Sequence, residues 1–121
     1  VYYTQNINGN YREPERLGDS INSDFGEGDT YVAFDENFMI INSWGRPDEF
    51  GKGDLYISFK KEDGTWTPAK NMGTDINTEF TEYRPFLSYD GKYLFFTSTR
   101  TGNGDIYWVD TKIIDHLKPK D

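Results

Sequence analysis

The chain has 121 residues, enough for one ordinary domain with a moderate core. Its formal charge of −8 disfavours a phosphate backbone as partner, so no nucleic acid is expected, and no run approaches the ~18 apolar residues of a membrane span. With no cysteine there is neither a disulfide nor thiolate chemistry, while aromatics at 17% beside 12 Gly favour short strands and tight turns over helices. No basic stretch followed by an apolar core opens the sequence, so no signal peptide is expected within it.

In chain order, residues 1–23 read as the closing half of a sheet unit: "VYY" as a strand, the turn "NING", then "NYREPERL". A full unit follows over 24–78, with strands "TYVAF", "FMIINSW", "DLYISFK" and, after the turn "KEDG", "TWTPAKNM". A partial unit over 79–112 carries "RPFLSY", the turn Asp90-Gly91, "YLFFTST" and "DIYWVD". The runs Phe38–Ser43 and Tyr93–Ser98 are nearly unbroken in apolar residues, which predicts central strands covered on both faces. Pro14 and Pro68 fall in the fourth strands and predict outer, edge positions, because proline donates no amide. The tail 113–121 predicts a short helix, with Ile113, Ile114 and Leu117 on one face and Pro119 as the stop.

The units repeat. At an offset of 55, Leu17 meets Met72, Gly18 meets Gly73, Ile21-Asn22 meets Ile76-Asn77, Phe25 meets Phe80 and Glu27 meets Glu82. Asp35 meets Asp90 and Ser43 meets Ser98 in the same register, which then slips to 51 at Gly53-Asp54-Leu55-Tyr56 and Gly104-Asp105-Ile106-Tyr107. The slip sits in one loop, "RPDEFGK" against "RTGN", as in stacked structural units. Four antiparallel strands per ~50 residues, the last at an edge, predict an all-β fold of β-propeller blades, about two to two and a half of them.

The segment "YRPFLSYDGKYLFFTSTRTGNGDIYWVD" resembles the WD-like propeller repeat of TolB-type proteins: Pro, apolar, Ser, Asp-Gly-Lys, an apolar strand, Ser-x-Arg, then Asp-Ile-Tyr. Residues 84–110 match nearly throughout, and 27–58 more loosely, with Asp35-Glu36 for Asp90-Gly91 and Thr30 for Pro85. The resemblance implies a binding or scaffold protein without enzymatic activity, recognising a protein or envelope component in the periplasm or outside the cell. The alternative it leaves is the propeller portion of an enzyme, a serine peptidase gate domain or polysaccharide lyase, with its catalytic residues elsewhere. Because "VYY" opens inside a strand pattern, the chain reads as the C-terminal portion of a longer propeller, with closure by several chains as the second option. Other polypeptide is therefore the expected partner, with a small ligand at the channel rim as a further one.

Several side chains are candidates for a site. Arg46 with Asp54, and Arg100 with Asp105, recur in both units, which favours a salt bridge or turn bond fixing a loop; Asp90 and Gly91 belong to a turn. Glu27 and Asp29, against Glu82 and Arg84, precede the innermost strands and so lie at the channel rim, and the sign change from Asp29 to Arg84 marks that position as more than scaffolding. Trp44 stands opposite Thr99 and beside Arg46, placed either to stack on a ligand or to pack. Asp24, Glu27 and Asp29 match no complete calcium loop, and the lone His116 lies in the tail, so no metal or other cofactor is expected. Gly18-Asp19-Ser20-Ile21-Asn22 lacks the final glycine of a nucleophile elbow and leads into a strand, so no catalytic group is assigned.

Overall fold

The computed structural model describes residues 1–120 and is built mostly from antiparallel strands. Near the start, β1 (Tyr2–Tyr3) pairs with β4 (Glu15–Arg16), and between them β2 (Asn6–Ile7) pairs with β3 (Asn10–Tyr11). The β2–β3 turn is Asn8-Gly9, with φ of 53° and 86°, the left-handed backbone that matches a two-residue hairpin to the twist of its strands.

A four-stranded sheet follows in sequence order: β5 (Gly26–Val32), β6 (Phe38–Trp44), β7 (Asp54–Phe59) and β8 (Lys70–Asn71). A three-stranded sheet comes next, with β10 (Tyr93–Ser98) between β9 (Glu82–Leu87) and β11 (Asp105–Asp110). The helix α1 (Lys112–Leu117) then buries Ile114 in the core.

Side-chain alternation decides how the sheets pack. Ile40, Leu55, Ile57 and Phe59 of the larger sheet meet Leu94 and Phe96 of the smaller one, with Met72, Ile76 and Ile114 closing the same core. Met39 and Ile41 point the other way, onto Ile21, Val1 and Leu17. The larger sheet is thus covered on both faces, as the apolar run of β6 predicts.

The prolines and β10 differ from expectation. Pro14 and Pro68 precede β4 and β8 rather than lying in them, and each strand is two residues long. Without an amide at those positions the ladder is interrupted there: Pro68 falls between the Lys60–Trp66 bridge and β8, and Pro14 between β3 and β4. β8 is the outer strand of its sheet, as Pro68 predicts. In β10, Leu94, Phe96 and Ser98 are buried, but Phe95 and Thr97 are half-buried and Tyr93 is exposed. An unbroken apolar run suits a strand to two covers without supplying the second.

An asparagine ties each sheet to the unit before it. Asn77 Nδ2 donates to the Leu55 carbonyl at 2.9 Å, and its Oδ1 accepts the Leu55 amide at 2.8 Å. Asn22 treats Val1 alike: Nδ2 donates to the Val1 carbonyl at 2.9 Å and Oδ1 accepts from the Val1 amine. Each asparagine is aimed by a single turn, in which the Gly18 carbonyl accepts the amides of Ile21 and Asn22, and the Gly73 carbonyl those of Ile76 and Asn77. Gly73 has a φ of 87°, so glycine there avoids left-handed strain. Replacing Asn77 with alanine strands the buried Leu55 amide, and is expected to cost about 1–3 kcal/mol in denaturant unfolding.

Candidate functional site

Four of the charged candidates form two matching networks. At the start of β5, Glu27 Oε1 accepts the Ser23 amide at 3.0 Å and the Arg46 guanidinium at 3.1 Å, and it also takes the Ser23 hydroxyl. Arg46 is held there by Nε donating to Ser43 Oγ at 2.7 Å and Nη2 to the Ile21 carbonyl at 3.0 Å. Glu82 accepts the Thr78 amide at 3.0 Å, the Thr78 hydroxyl at 2.6 Å and the Ser98 hydroxyl at 2.6 Å. Arg100 donates Nε to Ser98 Oγ at 2.9 Å and Nη2 to the Ile76 carbonyl at 2.8 Å, leaving it 3.5 Å from Glu82. Each guanidinium also lies over a tyrosine: Arg46 is 4.8 Å from the Tyr56 ring centroid and Arg100 is 4.3 Å from that of Tyr107.

The arginines therefore pair with Glu27 and Glu82. Of the two options the spacing left for Asp54 and Asp105, the salt bridge is not made, and each aspartate instead accepts a bond from its own loop. The serine near the end of β6 or β10 (Ser43 or Ser98) and the isoleucine carbonyl of the turn (Ile21 or Ile76) together fold each guanidinium inward, toward the carboxylate on β5 or β9. Both networks join a turn, a first strand and a second strand, and every charge in them is spent on a neighbour.

The two aspartates sit in unlike surroundings. Asp54 is buried, and its Oδ2 accepts the Phe50 amide and Asn71 Nδ2, each at 2.7 Å. Asp105 is exposed and takes the Thr101 hydroxyl at 2.5 Å. The longer loop over 45–53 closes over Asp54, and the shorter one leaves Asp105 in water. Burial pushes the Asp54 carboxyl above the ordinary value of 3.8, against the opposing bonds from Phe50 and Asn71. A carboxyl whose folded pKa lies above its unfolded one favours the folded state at low pH. That contribution is lost as pH rises from 3.8 through the raised value. A carbon-detected titration is expected to place the Asp54 carboxyl above the ordinary value of 3.8.

Asp90 and Gly91 shape a tight turn: Asp90 Oδ1 accepts the Ser88 hydroxyl at 2.7 Å and the Lys92 amide at 3.1 Å, while Gly91 has a φ of 73°. The equivalent turn puts Glu36 at a φ of 60°. Trp44 lies across Gly26 and Gly28; a Cβ on Gly26 would fall 2.0 Å from its Cε2. Glycine is required for this approach, and Trp44 is packed on one side and open on the other. Asp29 and Arg84 are exposed at the irregularities of β5 and β9, Arg84 with a φ of 52° and its guanidinium 5.4 Å from the Tyr83 ring centroid.

At the opposite end of β5 and β9 lies a groove of about 540 Å³, lined by Tyr31, Ala33, Phe34, Asp35, Phe38, Leu87, Ser88, Tyr89 and Gly91. Phe34 and Tyr89 occupy the same place in the two units, just before the turn, and are 101% and 108% exposed. Rings of this size normally bury their area. In the sequence both fall at the ends of strand patterns, and the available signal is an aromatic placed just outside the last inward-facing position. Tyr31, at the groove floor, has its hydroxyl pushed up by burial and by the Asp35 charge.

Among the described residues, no cluster of three or more His, Cys, Asp or Glu side chains is placed to hold a metal ion, and no helix is long and apolar enough to cross a membrane. His116 is exposed on α1. Comparison of the chain with models of protein families, with curated proteins and with solved structures finds no match.

Proposed function

We propose that the chain is a non-enzymatic binding or scaffold module of TolB-like, WD-type β-propeller architecture, whose groove between Phe34 and Tyr89 receives a protein or envelope component. The observation carrying this reading is the pair of fully exposed aromatics at one repeated position, flanking an apolar groove. Left in water they contribute nothing to folding; covered by a ligand, they release apolar area at ~25 cal/mol per Å². Sheets ordered in sequence and packed face to face support the blade reading, together with the motif over 84–110. Asp35 at the groove and the net charge of −8 favour a neutral or basic ligand over an anionic one. A periplasmic or secreted location rests on the TolB resemblance alone.

The test is calorimetric titration with neutral peptides, basic peptides and soluble cell-wall saccharides. A ligand of the groove is expected to lose about tenfold or more in affinity when Phe34 and Tyr89 are both changed to serine, with thermal unfolding unchanged. Binding that ignores the double substitution would remove the groove from the reading.

A further inference from the structure

The two faces of the second sheet are unequal in a way that the first sheet explains. In the four-stranded sheet, Phe38, Ile40, Leu55 and Ile57 share the face toward the next sheet, and Leu55 and Ile57 are 0% exposed. In the three-stranded sheet the same face carries Tyr93, Phe95, Ile106 and Trp108. Here Ile106 and Trp108 are 69% and 62% exposed. The rings have already arranged themselves against one another: Phe86 stacks on Phe95 at 5.1 Å, and Tyr93 meets Trp108 edge-on at 5.1 Å.

The backbone tells the same story. Leu55 turns its amide and carbonyl away from β6, and Asn77 and the Met72 amide take them. The pairing of Ile106 with Thr97 repeats that of Leu55 with Asn42. Ile106 therefore turns the same two groups outward, on β11, the edge strand of its sheet. Sequence equivalence thus runs through the side chains, the register and the direction of the hydrogen-bonding groups. What differs is the cover.

We propose that this open face and the outer edge of β11 form the docking site for a polypeptide bearing a further unit of the same repeat. Its Gly-x-x-Ile-Asn turn clamps Ile106 as Asn77 clamps Leu55, and its apolar sheet face covers Phe95 and Trp108. The interface between the two sheets of this chain supplies the template for the occupant's chemistry. A second folded copy of this chain does not offer that turn, because its Asn22 and Asn77 are already engaged with Val1 and Leu55. The inference rests on the blade reading but not on the groove, which lies at the turns after β5 and β9.

The test extends the full chain at Asp121 with a Gly/Ser linker of about 15 residues, which reaches about 20 Å, followed by a second copy of residues 66–110. Linkage holds the added unit at an effective concentration of about millimolar. The Ile106 amide is expected to exchange about tenfold or more slowly with solvent than in the unextended chain, with the Trp108 emission shifted to the blue. Changing the added copy's equivalent of Asn77 to alanine is expected to restore much of the lost exchange. Unchanged Ile106 exchange and Trp108 emission would overturn the proposal, as would protection that survives loss of that asparagine. Self-association of the unextended chain that protects Ile106 would overturn it too, by naming a second copy as the occupant. Loss of groove binding in the Phe34/Tyr89 variant leaves these readouts untouched, so the two readings fail separately.

Discussion

Substitution of Phe96 by alanine is expected to lower unfolding free energy by about 3–5 kcal/mol, the range for removing a large aromatic from a packed core. Phe96 is buried between the two sheets beside Leu94 and Ile76, and its ring lies 6.1 Å from that of Tyr107. Its neighbour Phe95 is the informative control. It lies in the same strand but faces the open side, half-buried and stacked on Phe86. Phe95→Ala is expected to cost about 1–2 kcal/mol, since only the stacking and a partial burial are lost. Chemical denaturation of both variants gives the comparison. Equal losses would mean that both faces of β10 are covered in solution.

Glu82→Ala should be nearly as damaging, at about 3 kcal/mol. The carboxylate is fully buried and accepts three hydrogen bonds from Thr78 and Ser98, with Arg100 3.5 Å away. Removing it leaves a partly buried amide and two hydroxyls short of an acceptor, and a guanidinium without its counter-charge. Arg100 keeps 27% of its side chain in water, which places the expected loss at the lower end of the range for broken buried pairs. Glu82→Gln is expected to restore part of the stability, because its one amide oxygen still accepts the Thr78 and Ser98 hydroxyls, although its NH2 cannot accept the Thr78 amide. If Glu82→Ala unfolds like the unsubstituted protein, the network contributes nothing to holding the strands.

Much of the fold was legible because the chemistry that builds it recurs. The offset that pairs Ile21-Asn22 with Ile76-Asn77 and Glu27 with Glu82 picks out the turn, the clamp and the buried carboxylate at once. Partners were harder to read. Arg46 lies eight residues before Asp54 and nineteen after Glu27, yet bonds to the latter, since pairing across strands is blind to sequence distance. Glu27 and Glu82 looked like rim charges because nothing local in the sequence betrays a bulge that turns them inward. Phe34 and Tyr89 are illegible for the opposite reason: an aromatic at a strand end reads as core, and only the fold places it beyond the last covered residue. The unequal faces of β10 belong to the same class, since the apolar pattern of a strand records what it can bury, not what lies over it.

One position occurs twice, clamped at Leu55 in the four-stranded sheet and open at Ile106 in the three-stranded one. Residue-resolved amide hydrogen exchange on the unextended chain measures that difference directly. The Leu55 amide, held by Asn77 at 2.8 Å and shielded on both sides, is expected to exchange only with global unfolding. The Ile106 amide, on the outer edge of β11, is expected to exchange faster by several orders of magnitude. Equal protection at Leu55 and Ile106 would contradict the account.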